Sequence, residues 1–194
     1  MSIVSYIVIA MAMGMVNMLF FHRCGEATPI RLSLGMLVIF IQSAIHAVMY
    51  FLGGLLGIML SLHSPSDSGM YADVNAYIFL GMALVVIVKM LFPYLRKEPR
   101  LPVFDHDRGS VWVFSAMVIV TGINVFLVGL GAGFVEIENP LHKMLWPMFG
   151  MSFVLGYLGL MFGRQKVKLR PRRWMVVACV LLLVTAIAAC VNAV

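Results

Sequence analysis

VTGINVFLVGLGAGF, Val120–Phe134, is apolar throughout apart from Thr121 and Asn124, and three glycines (Gly129, Gly131, Gly133) follow the amide. An amide costs free energy in hydrocarbon unless it is bonded. Glycines four apart leave one face of a helix bare, so that a second backbone can come close. The stretch therefore reads as a membrane helix with a polar centre and a packing face.

The rest of the chain agrees. Of 194 residues, 62% are hydrophobic and only 11% are charged. A soluble domain carries about 25% charged residues, so the composition points to an integral membrane protein forming a single membrane domain over 1–194. A net charge of +6 fits cytoplasmic loops rich in Lys and Arg, and the placement of the charges gives no reason to expect nucleic acid. Cys24, Cys179 and Cys190 show no CxxC or Cys/His spacing, and no disulfide framework is expected. The first apolar segment has neither a basic region before it nor a cleavage site after it, and it reads as a span of the mature chain.

A spanning helix needs roughly 20 apolar residues. Six segments qualify, at about Ile3–Phe21, Leu32–Leu62, Val74–Leu95, Val111–Phe134, Leu141–Gly163 and Trp174–Val194. The second is overlong and holds Gly53, Gly54 and Gly57, so tilt, a bend or an early end is expected. The connections alternate in charge. Arg23 and Arg31 follow the first span, Asp67 and Asp73 the second, and Arg96, Lys97, Arg100 and Arg108 the third. Glu136 and Glu138 follow the fourth, before a lone Lys143, and RQKVKLRPRR follows the fifth. The basic connections belong in the cytoplasm, which puts both termini outside.

Three spans per half is an odd number, and duplication of an odd unit gives an inverted repeat. Half-repeats of about 1–95 and 111–194, joined by a cytoplasmic loop 96–110, are expected. Aligned on their asparagines, GMVNMLFF (Gly14–Phe21) lies over TGINVFLV (Thr121–Val128), and YFLGGLLG (Tyr50–Gly57) echoes GYLGLMFG (Gly156–Gly163). The pairs Gly53/Gly57, Gly129/Gly133 and Gly159/Gly163 each give a bare helix face for packing.

Every carboxylate falls in a connection or at a span end, and Lys89 can snorkel. The buried polar set is then Asn17, Gln42, His46, Thr121 and Asn124. Gln42 and His46 share a helix face. Such residues serve either as glue between helices or as a shared central site, with His46 able to ligate a metal or carry a proton. The alignment places Asn17 against Asn124 near the midplane, with His46 and Gln42 close by. No serine–histidine–acid set, phosphate loop or HExxH stretch suggests an enzyme.

TGINVFLVGLGAGF, together with FLGGLLG, IFLG (Ile78–Gly81) and YLGLMFGR (Tyr157–Arg164), resembles the MntP-type manganese efflux pumps of bacteria. The resemblance implies an inner-membrane exporter of Mn²⁺ built from two inverted three-helix repeats. It also implies a metal site at Asn17, Asn124 and His46, where the family carries two aspartates and a Glu or Gln. The family's third-span glutamate is absent here, with Ile87 in its place. A hard cation such as Mn²⁺ prefers carboxylate ligands. Export of a neutral or zwitterionic solute, or a binding or sensory role without transport, therefore stands beside manganese efflux.

Overall fold

The computed structural model describes residues 2–27, 32–62, 70–95, 109–135 and 141–191, with side chains over 2–26, 32–61, 74–92, 118–135 and 145–191. Residues 96–108 of the loop between the halves lie outside these ranges, as do the side chains of Asp67, Asp73, Glu136, Glu138 and Lys143.

Six helices make up the described chain: α1 (Ile3–Ala27), α2 (Leu32–Leu62), α3 (Met70–Leu95), α4 (Gly109–Val135), α5 (Leu141–Arg164) and α6 (Pro171–Val191). Each contains a segment long and apolar enough to cross a membrane. In hydrocarbon the backbone must satisfy its own hydrogen bonds, and a helix does so within one segment. The 21 residues of α6 span about 30 Å, the thickness of a bilayer core. The protein is thus an all-helical, multi-pass membrane protein.

Two boundaries differ from expectation. α1 runs past Phe21 to Ala27, carrying His22, Arg23 and Glu26 on its last turns. α2 neither breaks nor ends at its glycines but continues as one 31-residue helix. Those glycines seat a neighbour instead.

The surface is apolar. Val4, Leu37, Val85, Val88, Ile119, Trp146 and Val184 all point outward, as lipid contact requires. The main core gathers Tyr6, Ile9, Met13, Tyr50, Phe79, Val128, Met148 and Leu182, and a smaller one holds Phe20, Phe21, Cys24, Ile39 and Leu160.

Helix pairing is selective. α1 packs on α5 and α2 on α4 most extensively, and α2·α5, α3·α4, α3·α6 and α1·α6 complete the main pairs. The two extensive pairs are glycine seams. On the first, Gly159 sits against the Met18 carbonyl, and Gly163 against His22 and Gly25. On the second, Gly53 sits against the Phe126 carbonyl, Gly57 against Leu130 and Gly133, Gly129 against Tyr50, and Gly133 against Gly54. A methyl group at any of these positions would strike backbone, which cannot yield as a flexible side chain can. Each of these glycines lies where two helices approach closely.

The contacts also fix directions. α1 and α5 run parallel, since Gly14 meets Met151 and Gly25 meets Gly163. α2 and α4 run parallel from Gly53–Phe126 to Gly57–Gly133. α2 opposes α5, with Gly35 at Leu160, Ile39 at Gly156 and His46 at Ser152.

Candidate functional site

Asn17, Gln42, His46, Thr121 and Asn124 are all buried, at 7% exposure or less. Three of them, Gln42, His46 and Thr121, bond to one another where α2 meets α4 and α5. Gln42 and His46 are one turn apart on α2, and Gln42 Nε2 donates to His46 Nε2 at 2.8 Å. The same amide nitrogen donates to Thr121 Oγ1 on α4 at 2.9 Å. Thr121 Oγ1 also lies 3.1 Å from His46 Nε2 and 3.3 Å from the Val118 carbonyl. The other ring nitrogen, His46 Nδ1, lies 3.2 Å from Ser152 Oγ on α5. With the proton on Nδ1, the imidazole donates to Ser152 and accepts from Gln42, so both of its nitrogens are satisfied.

Asn17 joins through the same residue of α5. Its amide donates to the Ser152 carbonyl at 3.3 Å. The expected pairing of Asn17 with Asn124 does not form. An amide–amide bond must use one of the two carbonyl oxygens, and neither Asn17 Oδ1 nor Asn124 Oδ1 has a partner among the described residues. Asn124 lies one turn beyond Thr121 on α4.

The glycine contacts at the two seams also do not follow the spacing of the asparagine alignment. On the seams, Met18 takes the place on α1 that Phe126 takes on α4, and His22 the place of Leu130. Those separations, 126 − 18 and 130 − 22, are both 108. Alignment on the asparagines uses 124 − 17, or 107. One residue turns a helical position by about 100°, which moves the amide to a different face.

Gln42 Oε1 and Ser43 Oγ are likewise buried without a partner among the described residues. Rotating the Gln42 amide would only exchange which of its two atoms is left over. Each buried, unpartnered polar atom costs about 1–3 kcal/mol, so the cluster holds unused capacity for a ligand. That capacity comes from three amide oxygens and a hydroxyl, all uncharged, and no carboxylate contributes among the described residues. Among the described residues no three His, Cys, Asp or Glu side chains come together as a metal group. Of the metal candidates Asn17, Asn124 and His46, only the two asparagines offer free oxygens. His46 would have to release Gln42 or Ser152 to ligate.

Aromatic side chains close the α2·α5 crossing at this level. Phe40 packs edge-on against Phe149 at 5.5 Å and Phe153 at 6.4 Å, and Phe149 stacks with Phe153.

Ser152 and Ser43 were not singled out in the sequence, because a serine in an apolar helix is common and carries no periodic signal. His22 was missed as well. It is 4% exposed, its Nε2 meets the Val167 carbonyl at 2.7 Å, and its Nδ1 lies 3.7 Å from Glu26. It ties the end of α1 to the chain leaving α5. Against known proteins, the chain matches no family model, no curated protein and no solved structure.

Proposed function

We propose that the protein is a small bacterial inner-membrane transporter that exports a small cation through a site between two inverted halves, α1–α3 and α4–α6, with both termini outside. The pattern of helix pairing carries this reading. Exchanging α1 with α4, α2 with α5 and α3 with α6 turns α1·α5 into α2·α4 and α3·α4 into α1·α6. It returns α2·α5 and α3·α6 to themselves. The glycine contacts follow the same exchange: Gly53 answers to Gly159 and Gly57 to Gly163, both 106 apart. His46 and Ser152 are also 106 apart, so the cluster lies on the exchange axis. Transporters of inverted-repeat design hold their substrates near the midplane at that interface.

The substrate follows from the donors. Likeness to manganese exporters makes Mn²⁺ the first cation to test, and the free amide oxygens of Asn17, Gln42 and Asn124 suit a hard cation. Without carboxylates the site lacks the charge that offsets dehydration of a divalent ion, so Mn²⁺ binds weakly. The same amides and imidazole suit a neutral or zwitterionic solute, which is the second reading.

The test is flux from vesicles reconstituted with the purified chain. Each is loaded in turn with Mn²⁺, a monovalent cation or a zwitterionic amino acid. Efflux that is lost in His46→Ala supports transport, and the cargo that moves names the class. If none leaves faster than from protein-free vesicles, the chain is a binding or sensory protein on this scaffold.

A further inference from the structure

A second built feature lies away from the central cluster, where the chain leaves α5 and enters α6. Lys168, Leu169, Arg170, Arg173, Trp174 and Val177 line a cavity of about 400 Å³. Its lining is divided. Lys168, Arg170 and Arg173 supply three cations, and Leu169, Trp174 and Val177 supply an aromatic ring and aliphatic groups. None of the three cations pairs with a carboxylate among the described residues. They also crowd the first turn of α6, which has no acidic residue. Cations there oppose the positive end of the helix dipole, and an anion would reverse that cost.

The apolar wall continues into the membrane. Val177, Val180, Val184 and Ile187 are all outward-facing, and their spacing puts them on one stripe of α6. From Val177 to Ile187 the stripe rises about 15 Å, half of a bilayer's hydrocarbon core. Trp174 stands at the top of this stripe, where tryptophan prefers the boundary between headgroups and hydrocarbon. A ligand that fits both walls is anionic at one end and one leaflet long at the other.

We propose that the pocket binds an anionic phospholipid, with its phosphate held by Lys168, Arg170 and Arg173 and an acyl chain lying along Val177–Ile187. Guanidinium groups meet phosphate oxygens in bidentate fashion, and each basic residue near an anionic leaflet adds to the attraction.

The experiment titrates the full-length chain in non-ionic detergent with dioctanoyl phosphatidylglycerol, dioctanoyl phosphatidylcholine and inorganic phosphate, counting bound ligand by native mass spectrometry. Phosphatidylglycerol should bind at least about tenfold tighter than either alternative. The variant Lys168→Gln/Arg170→Gln/Arg173→Gln should lose that preference. The variant Arg164→Gln/Lys166→Gln/Arg172→Gln removes the same charge from outside the pocket and should keep it. Equal retention of both lipids by the wild-type chain would overturn the proposal, and that measurement stands even if a variant misfolds. Equal loss in the two variants would reduce the effect to diffuse attraction, also against the proposal. Phosphate competing as strongly as the lipid would make this a soluble-anion site and overturn the lipid assignment.

Discussion

His46 and Ser152 face each other across the crossing of α2 and α5, with ring nitrogen and hydroxyl 3.2 Å apart. Under the exchange proposed above, each stands at the other's equivalent position. One polar position thus carries an imidazole on one side and a hydroxyl on the other, and their neighbours one turn earlier are Gln42 and Met148. Under that exchange the site is asymmetric, with the amide on the α2 side and the thioether, 3.9 Å from Ser152 Oγ, on the α5 side.

The cluster gives the first expectation. Asn17→Asp or Asn124→Asp places a negative charge where an unpartnered oxygen now sits. At an effective dielectric of about 20 a carboxylate near a divalent ion contributes several kcal/mol before desolvation. Calorimetric titration at pH 8, where alkaline conditions favour the ionised form of the new carboxylate against burial, should show Mn²⁺ binding at least about tenfold tighter than in the wild type. Unchanged affinity in both folded variants would separate the cluster from cation binding.

The seams give a second. Gly163→Ala and Gly53→Ala each drive a methyl group into backbone, of His22 and of Phe126. Overpacking of this kind costs about 1–3 kcal/mol, which lowers the melting temperature by roughly 5 °C in a chain of this size. Gly81→Ala is the control, because nothing lies within 4 Å of the added carbon. It should leave stability unchanged or raise it slightly. Equal melting temperatures for all three would refute the seams.

A third concerns the end of α5. Val167 N–H bonds to the Phe162 carbonyl and Lys166 N–H to the Gly163 carbonyl, while Lys166 has a φ of 54°. This is a Schellman cap with lysine where glycine is usual. Lys166→Gly should stabilise by about 0.5–1 kcal/mol, and Lys166→Ala, which removes the charge but keeps the strain, should not. Thermal melts of the two variants decide it.

Orientation is a fourth. Ser2 precedes α1, and Lys168 follows the residue bonded to His22 near the other end of that helix. With the native cysteines replaced, an impermeant maleimide on intact cells should label Ser2→Cys and reach Lys168→Cys only after permeabilisation. The opposite pattern would invert the proposed topology.

The six spans were legible because bilayer thickness sets a length and hydrocarbon sets a composition, and both are local properties of the chain. The glycine faces were legible for the same reason: four-residue spacing is a property of one helix. The interior polar set was legible too, since Asn17, Gln42, His46, Thr121 and Asn124 stand out against an apolar background. Their partners were not. Which residue meets His46 depends on how α2 lies on α5, and that register rests on contacts between the two helices, such as Gly35 against the Leu160 side chain and Gly156 against that of Ile39, which no single segment shows. The asparagine alignment uses a separation of 107 residues, whereas under the proposed exchange the seam contacts repeat at 108, the separation of Gly14 and Gly122.

The two seams each weld a helix from the first half of the chain to one from the second. Rocking residues 1–95 as a block against 111–194 would tear both welds at once. Under the proposed function, the bodies that shift are instead the α1–α5 pair and the α2–α4 pair, which meet along α2·α5, with the phenylalanines on its rim. A disulfide joining Phe40→Cys to Phe149→Cys should therefore jam the cycle, and vesicle flux that survives that bond would place the moving joint elsewhere. On this proposal, the units that move are not the two halves of the sequence.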